Sequence, residues 1–130
     1  MLTPYLARVF CLWLALTVAI EAVTLAVVVR WLFGLGREAL PWHLVAIGAV
    51  VASGLTYPYL WFLAPVIIDD YWWRHVVGEP LIVAVESCVL YGVLRIGWRR
   101  AVVAALLCNG ASILIGIPLN RWVIAAGWVN

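Results

Sequence analysis

Two glutamates stand in the middle of long apolar stretches of this chain. Glu21 lies within the apolar residues 5–33, and Glu86 lies within the apolar residues 80–96. A charged side chain at the centre of a bilayer costs about 2.5–3.5 kcal/mol on insertion scales, so such residues face a bundle interior or a wet cavity. Two carboxyls in that setting could bind and release protons, or bind a cation.

Smaller polar side chains are predicted to lie at the same depth. Ser53 and Thr56 fall near the middle of the second apolar stretch, and Asn109 and Ser112 near the middle of the fourth. Glu79 precedes Glu86 by seven residues, which places both on one helix face with Glu79 about 10 Å nearer the membrane surface. The sequence therefore predicts a mid-membrane proton or cation site with Glu79 at its entrance. Its members are Glu21, Glu86, Asn109, Ser112, Ser53 and Thr56.

Three roles are open for the two carboxyls. In the first, both are protonated and hydrogen-bonded to Ser53, Thr56 or Asn109, and they hold helices together. In the second, the pair relays protons or exchanges a proton for a cation. In the third, the pair binds an organic substrate or a lipid headgroup. The sequence leaves these three alternatives standing.

The composition restricts the class of protein. The chain has 130 residues, of which 68% are apolar and 11% charged. Ordinary soluble domains are about 45–50% apolar and about 25% charged, and a chain this short cannot bury such an excess in one core. A net charge of +2 is too small for a nucleic-acid-binding surface. These values predict an integral membrane protein whose main partner is the lipid bilayer.

The apolar stretches predict four membrane-spanning helices. A helix needs about 20 apolar residues to cross the hydrocarbon core, and only helices or closed barrels satisfy the backbone there. We predict one transmembrane domain over residues 1–130, an all-α four-helix bundle with neighbouring helices antiparallel. Its spans are residues 5–33, 43–68, 80–96 and 101–126, joined by loops 34–42, 69–79 and 97–100.

The arginines predict the orientation of the bundle. Five of them cluster at the first and third loops, namely Arg30, Arg37, Arg95, Arg99 and Arg100. Three lie at the opposite end, namely Arg8, Arg74 and Arg121. Because positively charged loops stay in the cytoplasm, this predicts both termini outside.

Tryptophans near the span ends are typical of the aromatic belts at membrane interfaces. These are Trp31, Trp42, Trp61, Trp72, Trp73, Trp98, Trp122 and Trp128. The alternative for residues 71–75 is an extracellular recognition lid.

The two halves of the chain resemble each other. Glu21 and Glu86 are each followed nine residues later by an arginine. Residues 52–56 and 108–112 both read small, polar, Gly, apolar, hydroxyl. This pattern predicts two parallel two-helix repeats, related by an axis along the membrane normal, with chance similarity as the alternative.

Two prolines interrupt the second span. Pro58 and Pro65 lack the N–H groups that would bond the carbonyls of Gly54 and Trp61. The result is either a simple kink or a backbone site for a cation or proton, as in the broken helices of transporters.

Other chemistry has little support in the sequence. His43 and His75 are predicted at opposite membrane faces, so they cannot share one metal or haem. Cys11, Cys88 and Cys108 form no CxxC pair, and the chain has no Walker or HExxH motif. We therefore predict no cofactor and no catalytic residue, and an enzyme is the less favoured class.

One stretch of the second half resembles a known family. Residues 79–86 (EPLIVAVE), Tyr91 and residues 108–116 (CNGASILIG) are similar to small four-span prokaryotic membrane proteins with the pattern E-x6-E followed by N-x2-S-x3-G. Residues 53–58 resemble that family's N-x2-T-x-P box, with Ser53 where Asn is usual. The resemblance implies a four-span fold in a prokaryotic inner membrane and no established activity.

Two functions from different classes follow as hypotheses. The first is proton- or cation-linked transport, by a homo-oligomer because four short helices enclose little volume. The second is an accessory or assembly subunit of a larger membrane complex, in which the aromatic faces meet partner subunits. An intramembrane enzyme acting on a lipid or isoprenoid is a third, weaker hypothesis.

Overall fold

The computed structural model describes residues 4–125, and within that range it leaves out the side chains of residues 4, 71, 72, 74, 75, 120, 124 and 125. All regular structure in this part of the chain is helical. Four helical segments are long and apolar enough to cross a membrane: Tyr5–Leu32, Trp42–Ile67, Val76–Leu94 and Trp98–Val123. The predicted all-α, four-helix architecture is therefore confirmed.

The bounds of the helices are as follows. Helix α1 covers Pro4–Val27 and continues as a π-helical segment, Val28–Leu32. Helix α2 covers Trp42–Pro58, continues as a second π-helical segment, Tyr59–Leu63, and ends in the short α3, Ala64–Ile67. Helices α4, Tyr71–Leu94, and α5, Trp98–Ala125, complete the bundle. The connections are loop one (33–41), loop two (68–70) and loop three (95–97).

The four long helices form a ring in chain order. Helix α1 packs against α2 and α5, and α4 packs against the same two neighbours. The helices that carry Glu21 and Glu86 are thus diagonal to each other, and so are the helices that carry the serine, threonine and asparagine side chains. Five of the six predicted site residues are buried in this bundle, and the sixth, Ser112, is half-buried.

The apolar core lies at the end of the bundle that holds loops one and three. It includes Leu25, Val29, Val45, Leu90 and Leu94, all with at most 5% of their surface exposed. Toward the loop-two end, the buried apolar side chains among the described residues are only Ala64 and Ile82. Among the described side chains, dense apolar packing is therefore found on the side of the predicted site that faces loops one and three.

The third span begins earlier than the sequence suggested. The prediction of a loop over residues 69–79 was wrong, because α4 starts at Tyr71. Asp70 accepts a hydrogen bond from the backbone N–H of Trp73 at 3.1 Å, which caps the helix start. Pro80 consequently lies inside α4, where transmembrane helices tolerate proline.

The prolines of the second span are accommodated by the π-helical segment Tyr59–Leu63. It lies between Pro58, the last residue of α2, and Pro65, in the first turn of α3. Such local widening is one way in which membrane helices satisfy the backbone around a proline. Phe10 of α1 packs against this region, with ring centroids 5.0 Å from Phe62 and 5.8 Å from Trp61.

Tryptophans near the helix ends are mostly exposed, as a belt requires. Trp31, Trp73, Trp98 and Trp122 each expose half or more of their surface. Trp61 differs, since it is half-buried against Phe10. The side chain of Trp72, most side chains of the proposed lid at 71–75, and residue 128 lie outside the described residues.

Loop one is held by a single arginine. The guanidinium of Arg30 donates hydrogen bonds to the backbone carbonyls of Leu35, Gly36 and Leu40, at 2.7, 3.0 and 2.6 Å. It also lies 4.6 Å from the ring centroid of Trp42. Arg30, which the sequence offers only as an orientation signal, therefore closes the turn between α1 and α2.

Loop three contains a residue in a costly backbone conformation. Arg95 has a φ of 53°, in the left-handed region that glycine adopts freely, and its N–H bonds the carbonyl of Tyr91 at 3.1 Å. For a residue other than glycine, this backbone conformation costs about 1 kcal/mol of folding free energy. We expect Arg95→Gly to raise the free energy of unfolding by about 0.5–1 kcal/mol, measured by thermal unfolding in detergent.

The control for Arg95→Gly is the same chemical change at Arg99. Arg99 lies in the first turn of α5, where glycine is a poor helix former and is expected to lower the free energy of unfolding. If both variants change the free energy of unfolding by the same amount, the backbone at Arg95 is not strained.

Candidate functional site

The Glu21 carboxyl is buried at the interface of α1 and α2. Only 3% of the residue is exposed. Its carboxyl forms a hydrogen bond with the Ser53 hydroxyl of α2, and that hydroxyl also lies 2.9 Å from the backbone carbonyl of Ala49. Ser112 of α5 is a further hydroxyl neighbour of the same carboxyl. Glu21 is thus surrounded by hydroxyl groups from two adjacent helices.

The Glu86 carboxyl has an analogous setting on α4. Its residue is 2% exposed, and Oε1 lies 3.0 Å from the hydroxyl of Thr56, which donates to it from α2. The Thr56 hydroxyl also lies 3.0 Å from the backbone carbonyl of Ala52. Each mid-membrane carboxyl therefore has one hydroxyl partner on α2, and each of these hydroxyls has a carbonyl four residues earlier as a second partner.

Asn109 and Glu79 extend the site toward the loop-two end. The Asn109 amide nitrogen donates to Glu79 Oε2 at 2.8 Å, which joins α5 to α4. The hydroxyl of Ser112 donates to the backbone carbonyl of Asn109 at 2.9 Å. Asn109 thus contacts the predicted entrance residue rather than Glu86, and polar groups continue from the bundle centre to Glu79.

Glu21 and Glu86 line one small cavity. It has a volume of about 10 Å³, and its walls are completed by Leu25, Ala49, Ala52, Leu90 and Cys108. About 10–15 Å³ is the least space that holds one water molecule. The Glu21 and Glu86 side chains therefore border one small, mostly apolar cavity in the bundle centre that has room for one water molecule at most.

Cys108 is a site residue that sequence reasoning missed. The sequence assigns it no role, since it forms no CxxC pair, yet Cys108 lines the cavity and its thiol donates to the backbone carbonyl of Glu21 at 3.7 Å. The signal in the sequence was its position four residues before Ser112, on the same helix face. Cys11 and Cys88 are exposed on the outside of the bundle.

Every pair of neighbouring helices shares at least one polar contact at or near this level. Ser53 with Glu21 joins α1 to α2, and Thr56 with Glu86 joins α2 to α4. Asn109 with Glu79 joins α4 to α5, and Cys108 with the Glu21 carbonyl joins α5 to α1. The site is consequently also a ring of interhelical hydrogen bonds, which stabilise transmembrane bundles.

Other predicted features are not part of this site. Gly54, whose carbonyl faces Pro58 along the chain, is exposed on the outside of the bundle. His43 is exposed at the start of α2. Within the described part of the chain, no three His, Cys, Asp or Glu side chains are arranged to hold a metal ion.

Comparisons with known proteins add no assignment. No family model, curated protein or solved structure matches the chain. The resemblance to four-span prokaryotic proteins therefore stays a prediction, and the function must be argued from the site itself.

Proposed function

We propose that this protein moves protons or small cations across a membrane, with Glu21 and Glu86 as the carriers. The observation that carries the proposal is the pair of buried glutamates: their side chains come from diagonal helices and border one small cavity at the bundle centre, and each carboxyl has a hydroxyl partner on α2. Carboxyls in the interior of membrane proteins are costly, and they commonly mark ion or proton pathways.

The direction of access follows from the packing around the cavity. Toward loops one and three, the cavity is closed by Leu25 and Leu90 and by the dense apolar core behind them. Toward loop two, Asn109 and Glu79 continue the line of polar groups. We propose that ions enter from the loop-two end past Glu79, and that passage to the other end requires the helices to separate around Leu25 and Leu90.

Orientation and assembly are further parts of the proposal. The excess of arginine at loops one and three supports a cytoplasmic location for those loops, with both termini outside. The resemblance of residues 79–116 to four-span prokaryotic proteins supports a prokaryotic inner membrane. The small interior volume supports a homo-oligomer, in which several bundles act together. The similarity of the two halves supports an internal duplication.

The test is flux through the purified full chain in liposomes. The lumen carries a pH-sensitive dye, and a membrane potential is imposed with a potassium ionophore. We expect the lumenal pH to change faster than in protein-free liposomes. If no proton or cation crosses in either direction, while the protein is folded and inserted, the proposal is wrong.

A non-catalytic subunit of a larger membrane complex is the second candidate. The ring of interhelical hydrogen bonds favours it, because one polar contact at each helix interface is what a purely structural role for the glutamates requires. Under this alternative no flux is seen, and the protein co-purifies from its native membrane with a fixed partner in constant proportion.

A further inference from the structure

We infer that the species exchanged at Glu21 and Glu86 is the proton, not a metal cation or an organic cation. This inference rests on the proposed transport function and names its cargo. Three separate features of the site carry it: the size of the cavity, its set of ligands, and the arrangement of its hydroxyl groups.

The size of the cavity excludes large cargo. A volume of about 10 Å³ holds one water molecule at most, so an organic cation or a metal ion with its hydration shell does not fit beside Glu21 and Glu86. A proton needs no volume beyond that of the oxygen atom that carries it. Either carboxyl can therefore take up a proton without enlargement of the cavity.

The ligands around the cavity suit a proton better than a metal ion. Calcium takes six to eight oxygen ligands and magnesium needs an octahedral set. Five of the seven lining residues are Leu, Ala or Cys, and the two carboxyls already have hydroxyl partners. A metal ion would have to break those contacts and would still lack most of its ligands.

The hydroxyls of Ser53 and Thr56 suit both protonation states of the carboxyls. Each hydroxyl has one hydrogen, yet each lies beside two acceptors, a carboxyl and the carbonyl of Ala49 or Ala52. When the carboxyl is charged, the hydroxyl donates to it. When the carboxyl is protonated, the carboxyl donates to the hydroxyl oxygen, and the hydroxyl turns to the backbone carbonyl.

This exchange of donors requires only rotation about the Cβ–O bond, on the fast timescale of side-chain motion. No heavy atom of the site has to move. The hydroxyls therefore supply a hydrogen bond to each carboxyl before and after it takes up a proton.

The charged and titratable neighbours are consistent with this role. Glu21 comes from α1, Glu86 and Glu79 from α4, and Cys108 from α5, while α2 contributes only hydroxyls at this level. Among the described side chains, no basic group is paired with Glu21 or Glu86. A proton cancels one carboxylate charge without needing a counter-ion in the bundle.

The first experiment measures ion selectivity with the wild-type chain. Liposomes containing the purified protein are loaded with a pH dye or with a sodium or potassium indicator, and gradients are imposed one at a time. We expect a pH change that is independent of sodium, lithium and potassium. Flux that requires one of these metal ions, with no pH change, overturns the inference but leaves the transport proposal intact. Absence of every flux overturns both.

The second experiment tests the hydroxyl at position 56. Thr56→Val keeps the shape of the side chain and removes the hydroxyl, and we expect proton flux to fall roughly fivefold to tenfold. Thr56→Ser restores the hydroxyl and is expected to recover most of the flux. Equal flux in Thr56→Val and the wild type would contradict the role of the hydroxyl.

A matched control exists on α1. The hydroxyl of Thr24 donates to the carbonyl of Ile20 at 2.8 Å, the same local bond that Thr56 can make. Among the described residues, no carboxyl lies in contact with the Thr24 hydroxyl. Thr24→Val is expected to leave flux unchanged. If Thr56→Val does not fold, Ser53→Ala provides the equivalent test at Glu21.

Discussion

Glu86→Gln is expected to lower proton flux by about two orders of magnitude, the scale of the loss when a positioned proton-transfer group is removed. Glutamine has the same length as glutamate, and it can still bond the Thr56 hydroxyl at the interface of α2 and α4. We therefore expect little change in the stability of the bundle. Flux is measured in liposomes at equal protein content, and stability by thermal unfolding in detergent.

Two variants complete the test of Glu86. Glu38→Gln is the matched control, since Glu38 is exposed in loop one and its change should affect neither flux nor stability. Glu21→Gln should resemble Glu86→Gln, because both carboxyls line the same cavity. A Glu86→Gln protein that loses stability while the wild type shows no flux would support the structural role of the glutamates instead.

Arg30→Ala is expected to lower the free energy of unfolding by about 2–3 kcal/mol. The wild-type guanidinium donates to three backbone carbonyls of loop one, and hydrogen bonds from charged donors each contribute about 1.5–3 kcal/mol before solvent screening. Its removal takes the guanidinium donor away from the carbonyls of Leu35 and Leu40, while the Gly36 carbonyl keeps the backbone N–H of Leu40, and it frees the turn between α1 and α2. The measurement is the midpoint of thermal unfolding in detergent.

Two further variants distinguish the effect of the guanidinium geometry from the effect of the positive charge. Arg30→Lys keeps the positive charge but cannot supply the two nitrogen atoms that reach Leu35, Gly36 and Leu40, so most of the loss should remain. Arg37 is exposed and lies 5.4 Å from the ring centroid of Trp42. Arg37→Ala should cost under about 1 kcal/mol. A full recovery in Arg30→Lys would show that charge alone stabilises the loop.

The class of protein and the number of helices could be predicted from the sequence. Both depend on composition and on the lengths of the apolar stretches. The thickness of the bilayer fixes how many apolar residues a spanning helix needs, so each stretch of that length becomes one helix. The burial of Glu21 and Glu86 followed by the same reasoning, since lipid excludes a charged side chain. Local signals were less reliable: Pro80 suggested a helix start, whereas the cap at Asp70 begins α4 nine residues earlier, at Tyr71.

The partners of each polar group could not be predicted, because they depend on which helices are neighbours. The sequence placed Ser53, Thr56, Asn109 and Ser112 at one depth, but depth does not say which helices are adjacent. The ring order α1, α2, α4, α5 puts Thr56 beside Glu86 and Asn109 beside Glu79.

The same dependence on packing applies to Cys108 and Arg30. Cys108 lines the cavity, and Arg30 closes loop one. In both cases the contacting residues are close together only after the chain has folded. Apolar length and the cost of burying charge are properties of the chain itself, so the sequence determines them. The shared cavity is a property of helix packing, so it is decided only when four helices meet.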